Sequence, residues 1–279
     1  MSAPSLLLLI PAYNEEARIE PVLRHYADFF KKNYPGKVRF IVVLNGCRDN
    51  TLGIVQTVAK DFSEVGWLDF PAPIGKGGAL IEGLKHTEGA DIIGFVDADG
   101  ATGPEAVLKL LPYLEKADCV IGSRWMPTSV LHKKQPKFRQ FVSRCFHFIV
   151  ECLFFLHIKD TQCPCKLMRR SVVEKIHPNL RIADLAFDVN LLVAIQQAGF
   201  RIEEVPIEWT DVVGSKVTAS LVRNSLAMFL SVVRVRLIYI PWLYKLLRPL
   251  RPLEGWIYKK LRVAAPIPES KAQDPKSKV

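Results

Sequence analysis

Ile92-Ile93-Gly94-Phe95-Val96-Asp97-Ala98-Asp99 is an apolar run that ends in two carboxylates one residue apart. An uninterrupted apolar run of this length reads as a strand buried on both faces, and its last residues then fall at the carboxyl edge, where open α/β sheets bind ligands. Two carboxylates converging on one point repel each other unless a cation sits between them. Mg²⁺ or Mn²⁺ held by one or two carboxylates and by substrate phosphates meets that requirement. Two solvated loop aspartates would give the same three-residue pattern, so the neighbouring segments decide the reading.

Ser5-Leu6-Leu7-Leu8-Leu9-Ile10 is a second apolar strand and runs into Pro11-Ala12-Tyr13-Asn14-Glu15-Glu16. Arg39-Phe40-Ile41-Val42-Val43-Leu44 is a third, followed by Asn45-Gly46-Cys47-Arg48-Asp49-Asn50-Thr51. Continuously apolar strands imply a parallel sheet with helices on both faces. The intervening segments carry helical spacing over Glu15 to Lys32, Thr51 to Phe62 and Pro104 to Lys116, and Asp118 to Gly122 adds a strand ending at Ser123-Arg124. At the shared edge Tyr13 can stack on a base, while Glu15 and Asn45 can hydrogen-bond base or ribose. Gly75-Lys76-Gly77-Gly78 opens a helix over Ala79 to His86; glycines there let backbone amides approach phosphate, and Lys76 adds charge. These features outline a nucleotide site.

The ordered series Pro11-Ala12-Tyr13-Asn14-Glu15, Asn45-Gly46 with Asp49-Asn50-Thr51, Gly75-Lys76-Gly77-Gly78-Ala79, Asp97-Ala98-Asp99 and Gly122-Ser123-Arg124 resembles the family 2 glycosyltransferases. Asp160-Thr161-Gln162-Cys163, Lys166-Leu167, Phe187-Asp188-Val189 and Gly214-Ser215-Lys216 resemble its polyprenyl-phosphate branch, the dolichyl-phosphate hexose synthases, with the glucose synthases the nearer match. The resemblance spans roughly residues 5 to 240 and implies the GT-A fold, a mostly parallel α/β sheet flanked by helices. It also implies inverting, Mg²⁺- or Mn²⁺-dependent transfer of a hexose, glucose favoured, from a nucleotide diphosphate sugar to a polyprenyl phosphate of the dolichyl type. UDP-glucose is the favoured donor and GDP-mannose the second candidate.

Carried onto this chain, the resemblance makes Asp99 the direct metal ligand and lets Asp97 face both ribose and metal. Pro11, Tyr13, Glu15, Asn45, Lys76 and Asp97 then bind the nucleotide sugar. Arg124, Arg139 with Ser143, and Ser215 with Lys216 serve the acceptor phosphate and the diphosphate. Asp188, just inside a helix start, orients sugar or acceptor, or simply faces the helix dipole. A phosphate monoester is already ionised at neutral pH, so such an acceptor needs positioning and charge neutralisation rather than a general base. Three departures stand out. Leu44-Asn45-Gly46 replaces the Asp-Asp-Gly of many relatives, Ala101 stands where some mannose synthases carry a further metal ligand, and Asn190 stands where the family often has Glu.

With 279 residues, 49% of them apolar, one large α/β domain is the expected size. The formal charge of +10 suits an anionic membrane surface or a phosphorylated substrate, and no nucleic-acid motif accompanies it. Six cysteines without a secretory signal point to a reducing compartment; Cys163-Pro164-Cys165 lacks metal spacing and reads as small buried side chains. Phe138 to Ile158 and Ala219 to Leu247 are rich in large apolar groups. In the second, Arg234 and Arg236 oppose a membrane span, since a central charge costs on the order of 3 kcal/mol. Trp242, Tyr244, Trp256 and Tyr258 beside Lys245, Arg248, Arg251, Lys259, Lys260 and Arg262 suit a helix lying in the headgroup zone of an anionic membrane.

The expected organisation is a catalytic domain over residues 1–216, amphipathic membrane-interface helices over 217–262 and a disordered tail over 263–279. The protein is then peripheral or monotopic, at the cytoplasmic face of a membrane. Two alternatives remain. A family 2 transferase could use a soluble or other hydroxyl acceptor, and would have no use for the amphipathic segments. A sugar nucleotidyltransferase would carry a Gly-rich, Arg-containing loop after the first strand, where this chain has Pro11-Ala12-Tyr13-Asn14.

Overall fold

A computed structural model describes residues 3–131, 137–210, 221–240 and 276–278. The first half alternates strand and helix: β1 (Leu6–Ala12), α1 (Ile19–Asn33), β2 (Val38–Asn45), α2 (Thr51–Asp61), β3 (Val65–Phe70), α3 (Lys76–Gly83) and β4 (Ile92–Phe95). It continues through α4 (Pro104–Leu110), β5 (Cys119–Ser123), β6 (Val130–Leu131), α5 (Lys137–Phe154), β7 (Lys166–Arg169) and α6 (Arg170–Ile176). Then come α7 (Phe187–Gln197), β8 (Ile202–Pro206), β9 (Glu208–Trp209), α8 (Leu221–Ile238) and β10 (Lys276–Lys278).

One eight-stranded sheet has the order β10-β3-β2-β1-β4-β7-β5-β8, and β6 pairs separately with β9. Strands β3, β2, β1 and β4 are mutually parallel, as are β5 and β8; β7 runs antiparallel to both its neighbours. The sheet is thus mostly parallel with helices on both faces. Alternation along β1 explains the unbroken apolar sequence: Leu7 and Leu9 enter one core with α3, α6 and α7, whereas Leu6, Leu8 and Ile10 enter the other with α1, α2 and α4.

The chain moves outward from β1 to β2 and β3, then returns to place β4 on the other side of β1. That reversal makes the ends of β1 and β4 a topological switch point, the place where open α/β sheets bind ligands, and Tyr13 and Asp97 follow those two ends. The helix expected from Glu15 starts later, at Ile19, because residues 13–18 form turns. That over Ala79 to His86 starts earlier, at Lys76, and stops at Gly83. Between Leu111 and Glu115 the helix after Pro104 tightens into a 3₁₀ turn.

The sequence reading assigned no strand to β3, β7 or β8, whose residues mix apolar with Gly66, Asp69, Lys166, Arg169, Glu203 and Glu204. Within the tail expected to be disordered, Lys276–Lys278 pairs antiparallel with β3, and the rest of residues 263–279 lies outside the described residues. Among the described residues no helix is long and apolar enough to cross a membrane. Trp242, Tyr244, Trp256, Tyr258 and the basic residues from Lys245 to Arg262 lie outside the described residues.

Candidate active site

Two loops at the carboxyl edge are knitted together before any ligand chemistry is considered. Asn14 sits in the left-handed region at φ 54°, a conformation Asn tolerates, and its Oδ1 accepts the Arg48 amide at 2.7 Å. Asp49 Oδ1 accepts from the Thr51 hydroxyl at 2.5 Å and the Thr51 amide at 3.1 Å, and Thr51 Oγ1 in turn accepts the Glu15 amide at 2.8 Å. Burial would raise the Asp49 pKa, but its hydrogen bonds from Thr51 and the Glu16 amide outweigh that and hold it below the ordinary carboxylate value. Asp49, Thr51 and Asn14 therefore fix the loop that presents Tyr13, which is 44% exposed. Pro11 lies half-buried in β1 opposite Val43, and Glu15 pairs with Arg18 at 2.5 Å.

Asn45 is buried, and its Oδ1 accepts the amides of Ile74 and Gly75 at 2.7 and 3.1 Å. Its carbonyl is thereby committed to shaping the turn into α3. Asn45→Ala leaves both amides without that acceptor and is expected to cost about 1–3 kcal/mol, read as a lowered denaturant midpoint.

Gly75 adopts φ 82° at the start of α3. A Cβ at Gly77 would lie 2.4 Å from Ile182 O, 2.6 Å from Phe187 Cβ and 2.8 Å from Asp184 O, so close packing against the chain before α7 demands that glycine. The turn sets Lys76 Nζ 2.5 Å from Asp97 Oδ1. Burial opposes the Lys76 charge, but Asp97, Asp188 and Asp99 outweigh it and raise its pKa above the ordinary value.

Asp99 Oδ1 accepts the Ala101 amide at 2.9 Å. Burial and then the Asp97 charge push the Asp99 pKa up, against opposing contributions from the Ala101 amide, Arg18 and Lys76. That crowding of negative charge fits a divalent cation. Among the described residues no group of three or more His, Cys, Asp or Glu side chains could hold a metal, so phosphate oxygens would have to complete the shell of one held by Asp97 and Asp99. The loop that follows is braced by the buried Tyr26 hydroxyl, which donates to Thr102 O at 2.8 Å, and by the Thr210 amide, which donates to Ala101 O at 3.1 Å.

Arg124 is clamped. Its Nε and Nη2 donate to Asp160 at 2.7 and 2.9 Å, its backbone amide donates to the same carboxylate at 2.9 Å, and its guanidinium lies 5.3 Å from the Trp209 ring centroid. Burial would raise the Asp160 pKa, but the hydrogen bonds and charge of Arg124, helped by Lys166, hold it below the ordinary value. A depressed carboxylate pKa contributes stability above the unfolded value and loses it as pH falls through the folded one, so the clamp persists at neutral pH. Glu204 orients Asp160 by accepting the amides of Lys159 and Asp160 at 2.9 and 3.0 Å.

Asp188, in the first turn of α7, pairs with the fully buried Lys166 at 2.5 Å. Lys166 also donates to Cys163 O at 2.8 Å and lies 5.4 Å from the Phe95 ring centroid. Asn190 Oδ1 accepts the amides of Arg181 and Ile182, at 2.9 and 3.2 Å, and so turns inward to the backbone. Cys119, Cys163 and Cys165 are buried free thiols, and burial pushes the first two up to about 12.

The structure thus gathers Lys76, Asp97, Asp99 and Asp188 into one electrostatic group, with the Asp97 charge also acting on Arg124. Ser143 is half-buried on α5 and Arg139 belongs to the same helix; the Arg139 side chain, Ser215 and Lys216 lie outside the described residues. Sequence reasoning gave no role to Arg18, Trp209 or Glu204, and none to Asp160 or Lys166 although it singled out the segments that hold them. Their charged partners lie far off in the chain, Arg124 36 residues from Asp160 and Asp188 22 residues from Lys166, so nothing local marks either pair.

The profile of glycosyl transferase family 2 matches residues 8–177. A dolichyl-phosphate beta-glucosyltransferase of Saccharomyces cerevisiae is 31% identical over 258 residues, covering 86% of this chain and 76% of that protein. One from Trichomonas vaginalis is 33% identical over 222 residues, covering 76% of this chain and 66% of that protein, slightly under two thirds of its length. A mouse protein of the same name is 32% identical over 224 residues, with 76% and 69% covered. Among solved structures, glucosyl-3-phosphoglycerate synthase from Mycobacterium tuberculosis, in complex with Mn²⁺, UDP-glucose and phosphoglyceric acid, superposes with a TM-score of 0.62 at 18% identity, over 84% of this chain and 80% of that one. The same enzyme has also been crystallised with Mg²⁺ and UDP. At that identity the structural likeness carries the fold, which is GT-A. The fold, the matched profile and the relatives agree: the chain is a glycosyltransferase and belongs to glycosyl transferase family 2.

Proposed function

We propose that the protein transfers glucose from UDP-glucose to the phosphate of a dolichyl-type polyprenol, with inversion, at the surface of a membrane. The observation that carries the donor half is the Lys76, Asp97 and Asp99 group at the switch point between β1 and β4. The names of the relatives support the acceptor half. Tyr13 offers an exposed ring to the base, and Lys76 neutralises part of the diphosphate. Asp97 and Asp99 would hold Mg²⁺ or Mn²⁺, and the ion would supply charge stabilisation for the departing nucleotide.

Arg124, fixed on one edge by Asp160 and stacked on Trp209, turns its remaining donors toward the acceptor phosphate, and Arg139, Ser143, Ser215 and Lys216 complete the acceptor side. Because the acceptor is already an anion, these residues position it and offset its charge; no proton need be removed. Asp188, beside Lys166, orients the sugar or the acceptor. The catalytic unit is assigned to residues 1–216 and membrane contact, at the cytoplasmic face, to the segment 217–262, whose residues 217–220 and 241–262 lie outside the described residues.

The test is transfer of label from UDP-glucose, GDP-mannose, UDP-GlcNAc and UDP-galactose to dolichyl phosphate in vesicles, with Mn²⁺, Mg²⁺ or chelator. The expected outcome is an organic-extractable glycolipid from UDP-glucose that disappears when the metal is removed. Label reaching only water-soluble acceptors would overturn the lipid reading. In the same assay Asp160→Asn, which weakens the clamp, is expected to raise the KM for dolichyl phosphate about tenfold while leaving the KM for UDP-glucose within twofold.

A further inference from the structure

Asp184 is a buried carboxylate in the chain that leads into α7, and nothing in the proposed chemistry calls for a charge there. Burying a carboxylate is costly unless it is satisfied, and here it is. Its Oδ1 accepts the Ala186 amide at 2.8 Å, and its Oδ2 accepts the hydroxyl of Ser231, a residue of α8 that is itself fully buried. The same stretch presses on the start of α3. The Gly78 amide donates to Ala183 O at 3.0 Å, and Gly77 has no room for a Cβ beside Ile182 O and Asp184 O. Asn190 holds the stretch from the other side through the amides of Arg181 and Ile182. Helix α8 is anchored independently, because Ala227, Val232 and Val235 are buried and Phe229 and Arg236 face outward.

We propose that Asp184 and Ser231 are positioning residues for the donor diphosphate: they tie the turn that carries Lys76 to α8, so that the helix outside the sheet sets the height of the Lys76 ammonium over Asp97. The inference rests on the reading of Lys76 and Asp97 as the diphosphate site. The path is short and continuous, running from Ser231 to Asp184, through the backbone of residues 182–184 to Gly77 and Gly78, and so to Lys76. Donor affinity then depends on how α8 is seated, although no atom of α8 need touch the donor.

The experiment is calorimetric titration of the full chain with UDP-glucose and Mn²⁺, without lipid, for wild type, Ser231→Ala, Ser231→Thr and Val235→Ala, with a thermal melt of each. Ser231→Ala removes one hydroxyl and is expected to weaken UDP-glucose binding about tenfold. Ser231→Thr, which keeps the hydroxyl, is expected to recover most of that. Val235→Ala loosens the same buried face of α8 without touching Asp184, and is expected to lower the melting temperature while leaving the dissociation constant within twofold. Equal weakening in Ser231→Ala and Val235→Ala would reduce the contact to a packing role and overturn the proposal, as would an unchanged constant in Ser231→Ala. A wild type that binds no UDP-glucose would instead overturn the donor-site reading beneath it.

Discussion

Asp99→Ala is expected to lower hexose transfer on the order of 10³-fold or more while leaving the protein at least as stable as wild type. The two effects have one cause. Asp99 is partly buried beside Asp97, and its pKa is pushed up by that burial and by its neighbour's charge, so the folded state bears an electrostatic cost that alanine removes. Only one described hydrogen bond is lost, that from the Ala101 amide. Active sites commonly carry such groups, unfavourable for folding and needed for function. The measurement pairs initial rates of glycolipid formation over a Mn²⁺ series with a denaturant melt. A rate near wild type at saturating Mn²⁺ would remove Asp99 from the metal site.

The second large effect is on folding. Lys166 and Asp188 form an ion pair that is almost wholly removed from solvent, under the Phe95 ring and beside the Cys163 carbonyl. Removing one partner strands the other's charge in the interior, and Lys166→Met is expected to destabilise the protein by roughly 3–5 kcal/mol. The stranded Asp188 would also compete with Asp97 for Lys76, so donor affinity should fall with it. Lys166→Met combined with Asp188→Leu exchanges the pair for apolar groups and is expected to restore most of the stability, as read by equilibrium unfolding. Hexose transfer by that double variant then isolates the contribution of Asp188. Restored stability without activity is the expected result, and restored activity would confine Asp188 to a structural role.

The parts of the molecule that were legible in the sequence are those whose information is local. Strands β1, β2, β4 and β5 are unbroken apolar runs, because each is covered on both faces, and the carboxylates at the end of β4 could be placed from them alone. β7 and β8 were not legible: Lys166 is an interior residue only because Asp188, in another element, makes it one. The turn into α3 shows a subtler failure. Its glycines suggest backbone open to phosphate, yet the Cβ side of Gly77 is closed over by Ile182 and Asp184, and the Lys76 side chain turns to Asp97. Asn45 and Arg124 were noted as ligand contacts, whereas the structure first commits each to a neighbour, one to the Ile74 and Gly75 amides and the other to Asp160. Such commitments between distant residues leave no trace in spacing or composition.

The antiparallel strand in the middle of the sheet has a consequence for how this chain can change. β5 ends at Ser123 and β7 begins at Lys166, and the two lie side by side, with Ile121 opposite Lys166. The described residues between them, including Arg124, α5 and Asp160, lie outside the eight-stranded sheet, and β6 among them pairs with β9. Doubling the length of a flexible connection costs only about 0.6 kcal/mol in closure entropy. Val150, Phe154, Leu156 and Ile158 enter the core and Lys159 and Asp160 are held by Glu204, so the room for a change of length lies in the exposed parts of the stretch, while β1 to β4 stay in register. A change there would alter the surroundings of Arg124, on the side proposed for the acceptor, and leave the ends of β1 and β4 as they are.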